Sequence, residues 1–197
     1  MDNTDQSSQA PLKLYMLLLG SKAPGRHVEQ HDFFFGVAHS LAELVPAIKV
    51  FWRGAVGNLH IDGWREVNMV DGYDIKVSLK DEASVPSDHK LFFINLGGYT
   101  AGQLEEQHYV ILSVKNDRGQ AIQDAKKAAF FKSNTIAGVK GANAHIDDKY
   151  GIDVDDIYKI EEMLPAAHKD KYHIEIAPGS GLQEDQVHLG YFRLDKL

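Results

Sequence analysis

The stretch "LYMLLLGSKAPGRHVEQH", residues 14–31, is matched without a gap by "LFFINLGGYTAGQLEEQH", residues 91–108. Seven of the eighteen positions are identical: Leu14/Leu91, Leu19/Leu96, Gly20/Gly97, Gly25/Gly102, Glu29/Glu106, Gln30/Gln107 and His31/His108. Average composition would give roughly one match. A self-match of this kind marks an internal repeat. In each copy an apolar run stops at a glycine, a polar loop follows, and a Glu-Gln-His triplet leads into a second apolar run.

The register continues downstream. Ser40 falls on Asp117 and Glu43 on Gln120, so both copies offer a capping box for a helix. Behind the caps, Val45, Ile48 and Trp52 fall on Ile122, Ala125 and Ala129 at the spacing of one helical face. Pro46 is expected to kink the first helix or shift its start. "NLHID" (58–62) then meets "NAHID" (143–147). The pattern predicts strands over 12–20 and 31–38, a helix over 40–52, and a hairpin "WREVNMVDGYDIKVSL" turning at Asp71-Gly72. The second copy closes similarly on "YHIEIA" (172–177). Each half reads as ββαββ. The expected fold class is α+β: tandem repeats, mixed sheets, one helix per repeat on one face, and a pseudo-twofold arrangement. The expected division is a disordered leader (1–11), a first repeat (12–80), a linker (81–90), and a second repeat with an extra C-terminal strand (91–197).

The chain has 197 residues, 44% of them hydrophobic, so core material is ample. A formal charge of −7 with no clustered Lys/Arg footprint counts against nucleic acid as a partner. There are no cysteines, which removes disulfides, thiolate nucleophiles and Cys-ligated zinc. The N-terminal "MDNTDQSSQAPL" lacks the basic and apolar regions of a signal peptide, and "LYMLLL" is too short to span a bilayer. A cytoplasmic protein without a membrane partner, monomeric or homodimeric, is expected.

The pattern Gly20…Gly25-Arg26-His27…Glu29-Gln30-His31-Asp32…Phe34-Phe35-Gly36, then Leu44-Val45-Pro46…Lys49…Phe51-Trp52 and His60-Ile61-Asp62…Trp64-Arg65-Glu66-Val67, resembles a bacterial domain-of-unknown-function family, number 1543. That domain occurs in one or two copies per protein. The second copy here departs from it, with Gln103 for Arg26 and Ile111-Leu112-Ser113 for Phe34-Phe35-Gly36. The resemblance implies a bacterial source and supports the repeat. It brings no activity.

Chemistry enters with the repeated polar residues. Residues two apart on a strand share a face, so Glu29 pairs with His31 and His60 with Asp62. A right-handed strand–helix–strand crossover makes its two strands parallel and starts them at the same sheet edge. Glu29, His31, His60 and Asp62 should therefore converge beside Gly20, as should Glu106, His108, His145 and Asp147 in the second copy. Two imidazoles and two carboxylates are candidate ligands for a divalent metal, or a candidate acid/base centre. The leading reading is plainer: a hydrogen-bonded network that seals the sheet edge. No cofactor is expected; a divalent metal stays as the minority option. Arg26 and His27, with His31 and His60, are the candidate ligand-binding residues, because Arg26 and His27 are missing from the second copy. The acidic run "IDDKYGIDVDD" (146–156) reads as a solvated loop. The leading function is a non-enzymatic module binding a small ligand or a protein. The alternative is a hydrolase or acid/base enzyme built on the histidines and carboxylates, with or without a metal.

Overall fold

The computed structural model describes residues 10–55, 58–82, 87–99, 104–125, 127, 153–179 and 185–197. The elements are β1 (Lys13–Ser21), β2 (Gln30–Ala38), α1 (Leu41–Phe51), β3 (His60–Glu66), β4 (Met69–Val70), β5 (Tyr73–Leu79), β6 (Lys90–Tyr99), β7 (Glu106–Lys115), α2 (Arg118–Ala125), β8 (Asp153–Lys159), α3 (Ile160–Met163), α4 (Ala166–Lys171), β9 (Tyr172–Pro178) and β10 (His188–Arg193). The fold is α+β, and every strand ladder is antiparallel among the described residues. The chain divides into two compact units, Met1–Val85 with Met163–Leu197, and Pro86–Glu162.

In the first unit a four-stranded sheet runs in the order β10-β3-β1-β2. β1 is apolar along most of its length because it is a central strand buried on both faces. Tyr15, Leu17 and Leu19 join Phe34, Ala38 and Ile61 under Leu44 and Ile48 of α1, forming one core. Burying a side chain of this size contributes about 1.5–3 kcal/mol. The buried stripe of α1 is Leu44 and Ile48 with Leu41 beside them; Val45 is only half-buried. The helix runs through Pro46, which lies on its exposed side. The expected capping box is not formed: the Ser40 hydroxyl caps nothing, and Glu43 Oε2 accepts from the preceding His39 N–H at 3.0 Å. In α2 the expected cap is in place, with Gln120 N–H donating to Asp117 Oδ1 at 2.9 Å.

The hairpin turn at Asp71-Gly72 has both residues at positive φ, 53° and 80°, the combination a type I′ turn requires. The strands around it are divided differently from the expectation. "WRE" continues the His60 strand as β3, so only Met69 and Val70 pair across the turn. β5 then takes β9 as its other neighbour, with Ile75 opposite Ile176 and Val77 opposite Ile174. Each repeat was expected to keep its own closing strand. Instead the closing strands of both repeats pair with each other in a separate sheet, β4-β5-β9. The C-terminal strand β10 pairs with β3, so segment 163–197 belongs with the first unit and not with 91–162. Unpaired backbone on β5 and β3 would otherwise form open sheet edges.

The second sheet meets the face of β1 opposite α1, through β5. There Leu14 and Val37 are buried, and the Val37 N–H donates to His168 Nδ1 at 3.1 Å. That bond needs the Nδ1 lone pair. Burial, reinforced by the Lys171 charge, holds the His168 imidazole below its ordinary value. The folded protein thus binds this proton less readily than the unfolded chain, whose imidazole titrates near 6.5. The stability is fully present above that value and is lost as pH falls below it. Melting temperature followed from about pH 7 to about pH 5 should decline, and His168→Gln should remove part of the slope. An identical slope in the variant would refute the assignment.

The second unit carries the three-stranded sheet β7-β6-β8 with α2. Phe92, Ile94, Leu96, Ala121, Ala125 and Ile157 form its core. The order β3-β1-β2 recurs as β8-β6-β7, and so does a bulge, between Leu18 and Leu19 in β1 and between Asn95 and Leu96 in β6. Part of the supposed acidic loop is therefore strand β8, with Ile157 buried. His145, Asp147 and residues 1–9 of the expected leader lie outside the described residues.

Candidate functional site

Strands β2 and β3 flank β1, both antiparallel to it, and so run parallel to each other. Gly20 lies opposite His31 on one side and His60 on the other. The bulge at Leu18/Leu19 leaves Asp62 as the extra residue of β3, directly after Ile61 enters the core. This brings Glu29, His31, His60 and Asp62 together.

The four side chains form a closed ring. His60 Nε2 lies 3.0 Å from Asp62 Oδ1 and 3.3 Å from Glu29 Oε1. His31 Nε2 lies 3.1 Å from Asp62 Oδ2 and 4.0 Å from Glu29 Oε2. Each carboxylate therefore bridges both imidazoles. Exposure rises around the ring, from 4% for the His60 side chain through 27% for Asp62 to 40% for Glu29 and 46% for His31. The ring is anchored at His60 and open at His31. His60 Nδ1 makes a 2.7 Å bond to the Asn58 carbonyl, which can only accept, so Nδ1 carries a proton and Nε2 is the atom turned to the carboxylates. Asp62 Oδ2 is shut off from solvent and has no aligned hydrogen-bond donor.

The ring presses against backbone. A methyl group on Gly20 would sit 2.4 Å from Asp62 Oδ2 and 2.7 Å from His60 Nε2. Gly20→Ala should therefore cost about 1–3 kcal/mol, the usual penalty of overpacking, measured as a shift in the urea midpoint. An unchanged midpoint would mean that the ring can slide away.

In the second unit Glu106 Oε2 and His108 Nε2 are 3.7 Å apart, and Gly97 faces His108 as Gly20 faces His31. The position across from Gly97 on β8 is Asp153, where β3 has His60. In the strand register Asp153-Val154-Asp155 stands where the first unit has His60-Ile61-Asp62, while His145 and Asp147 lie outside the described residues. Of the candidate ligand residues, Arg26 and His27 lie exposed in the β1–β2 connection, which turns at Gly25.

A cleft of about 720 Å³ opens beside the ring, where α1 ends and β3 begins. Lys49, Trp52, Arg53, Asn58, Tyr191 and Arg193 are among its lining residues. Arg193 is engaged by Asp195 through Nε–Oδ1 at 2.9 Å and a second bond at 2.8 Å. That ion pair raises the Arg193 guanidinium further and holds Asp195 below the usual carboxylate range. Lys49 and Arg53 have no acidic partner among the described residues. The cleft and the ring share a wall: the Tyr191 ring lies over His60 with centroids 4.1 Å apart, and Asn58 carries the carbonyl that holds His60. β10 is pinned to β3 a second time by His188 stacked on Trp64 at 4.0 Å. Sequence reasoning missed this cleft. The available signal was Lys49 and Arg53 one turn apart on either side of Trp52.

No helix among the described residues is long and apolar enough to cross a membrane. No curated protein matches the chain. A solved structure described as a protein Il1583 from Idiomarina loihiensis is similar over 93% of this chain and 97% of that one, at 23% identity and a TM-score of 0.60. At that identity the likeness speaks for the fold alone. The family model described as Domain of Unknown Function (DUF1543) matches residues 26–77, the segment that supplies Glu29, His31, His60, Asp62, Lys49 and Arg53, and does not extend to the second copy. Over that segment the chain matches the DUF1543 family model.

Proposed function

We propose that the chain is a small-ligand-binding module whose ligand is a small anion with a flat apolar body. The observation that carries this is the pair Lys49 and Arg53, without carboxylate partners among the described residues, lining the same cleft as Trp52 and Tyr191. On a chain of net charge −7, a local pair of unpartnered cations is the feature that selects an anion. The guanidinium offers a planar fork and the ammonium a point charge, the usual means of gripping carboxylate or phosphate. The aromatic side chains supply stacking surface for the body of the ligand. The reading includes a cytoplasmic location and action as a monomer or homodimer, with a small molecule as the partner.

The test is a calorimetric titration of the full chain with phenyl phosphate and, in parallel, with uncharged benzamide. Saturable binding of the first and none of the second is expected. Equal binding of both, or of neither, would contradict the reading.

A second reading has one specific observation in its favour. His31 is half-exposed and bridged to a buried imidazole through Asp62, an arrangement suited to proton transfer at the open side of the ring. Phenyl phosphate hydrolysis by the wild type that disappears in His31→Ala would replace the binding module with an enzyme.

A further inference from the structure

We infer that Glu29, His31, His60 and Asp62 form a binding site for one divalent transition-metal ion of the zinc type. The inference is independent of what occupies the cleft, and three observations on the ring converge on it.

First, the buried imidazole is prepared as a ligand. His60 donates Nδ1–H to the Asn58 carbonyl at 2.7 Å, which fixes its tautomer and turns the Nε2 lone pair inward. A backbone carbonyl holding the far nitrogen is the usual outer support of a metal-bound histidine. His60 Nε2 faces two carboxylate oxygens, at 3.0 and 3.3 Å, so a cation placed among the three atoms would have a nitrogen and two oxygens to bind. Second, Asp62 Oδ2 is buried, and its neighbour His31 Nε2, at 3.1 Å, is not aligned to donate to it. Buried carboxylate oxygens need a partner, and a cation at the centre of the ring supplies one. Third, each imidazole is met by a different oxygen of each carboxylate, so small rotations of the exposed side chains would bring one donor from each residue to the spacing of a four-coordinate ion. Metal–ligand bonds of about 2.0–2.2 Å in a tetrahedron put neighbouring donor atoms about 3.3–3.6 Å apart. The ring contacts run from 3.0 to 4.0 Å.

The four side chains meet in pairs and do not surround one common point. The two members that must swing inward, Glu29 and His31, are the exposed ones, at 40% and 46%. His60, held by Asn58 and Tyr191, stays in place. Two imidazoles with two carboxylates favour zinc over calcium or magnesium, which take all-oxygen shells. Two neutral imidazoles, two carboxylates and one divalent ion also sum to zero charge beside a buried ring.

The experiment is titration of the demetallated full chain with zinc chloride, read by calorimetry and by melting temperature, with cobalt(II) absorbance reporting coordination. One equivalent is expected to bind, raise the melting temperature, and give the visible bands of four-coordinate cobalt. His31→Ala and Glu29→Gln, both at exposed positions, should each weaken this binding by at least tenfold; His39→Ala, just past the far end of β2, should leave it unchanged. Absence of binding would overturn the inference. So would binding that His31→Ala and Glu29→Gln leave intact, which would place the ion on other surface histidines.

Discussion

Replacing His60 with alanine is expected to cost about 3 kcal/mol of folding stability, the scale for truncating a buried ring and leaving a buried acceptor unpaired. The loss has several parts. The Asn58 carbonyl loses its donor, Asp62 Oδ1 and Glu29 Oε1 lose the group between them, and Tyr191 loses the ring it lies over. At about 2–4 °C per kcal/mol for a chain of this size, the melting temperature should fall by roughly 6–12 °C. His31→Ala is the control. Its side chain is 46% exposed, so its ion pairs are screened by solvent and their loss should cost about 1 kcal/mol or less. Equal losses from the two substitutions, by thermal and urea unfolding, would show that the ring has no buried anchor.

The second large effect is on the ligand. Reversing both free cations, Lys49→Glu with Arg53→Glu, should weaken phenyl phosphate binding at least a hundredfold. Hydrogen bonds to charged groups contribute about 1.5–3 kcal/mol each, and every 1.4 kcal/mol is tenfold in affinity. Stability should change by no more than about 0.5 kcal/mol, because both side chains are exposed. A double variant that keeps the affinity, measured calorimetrically, would remove the cleft from the account. One that unfolds would be replaced by Lys49→Gln with Arg53→Gln, for which a tenfold or greater loss is expected.

Much of the first unit was legible from local pattern. β1 is a continuous apolar run because it is a central strand, and Asp71-Gly72 turns because both residues sit at positive φ. That Glu29 and His31 start at the same sheet edge as His60 follows from the crossover rule, since β2 and β3 had to run the same way; the bulge that adds Asp62 did not show in the sequence. Strand partners were not legible. Alternation in "YDIKVSL" and "YHIEIA" states which face is apolar and says nothing about which neighbour is hydrogen-bonded, so the β5–β9 pairing could not be read from it. The bulge hid β8. One extra residue, Asp155, shifts the alternation between Val154 and Ile157, so a strand reads as an acidic loop. The cleft was hidden for a third reason: it joins the end of α1 to Tyr191 and Arg193, far apart in the chain and adjacent only because β10 returns to β3.

Trp52 lines the cleft and Trp64 is the other tryptophan of the chain, so a Trp64→Phe protein has Trp52 as its single indole. The most direct measurement is the emission of that indole during titration with phenyl phosphate. The account predicts a saturable change in Trp52 emission that benzamide does not produce and that Lys49→Glu with Arg53→Glu abolishes. Emission that stays constant while calorimetry records binding would place the anion elsewhere and contradict the account.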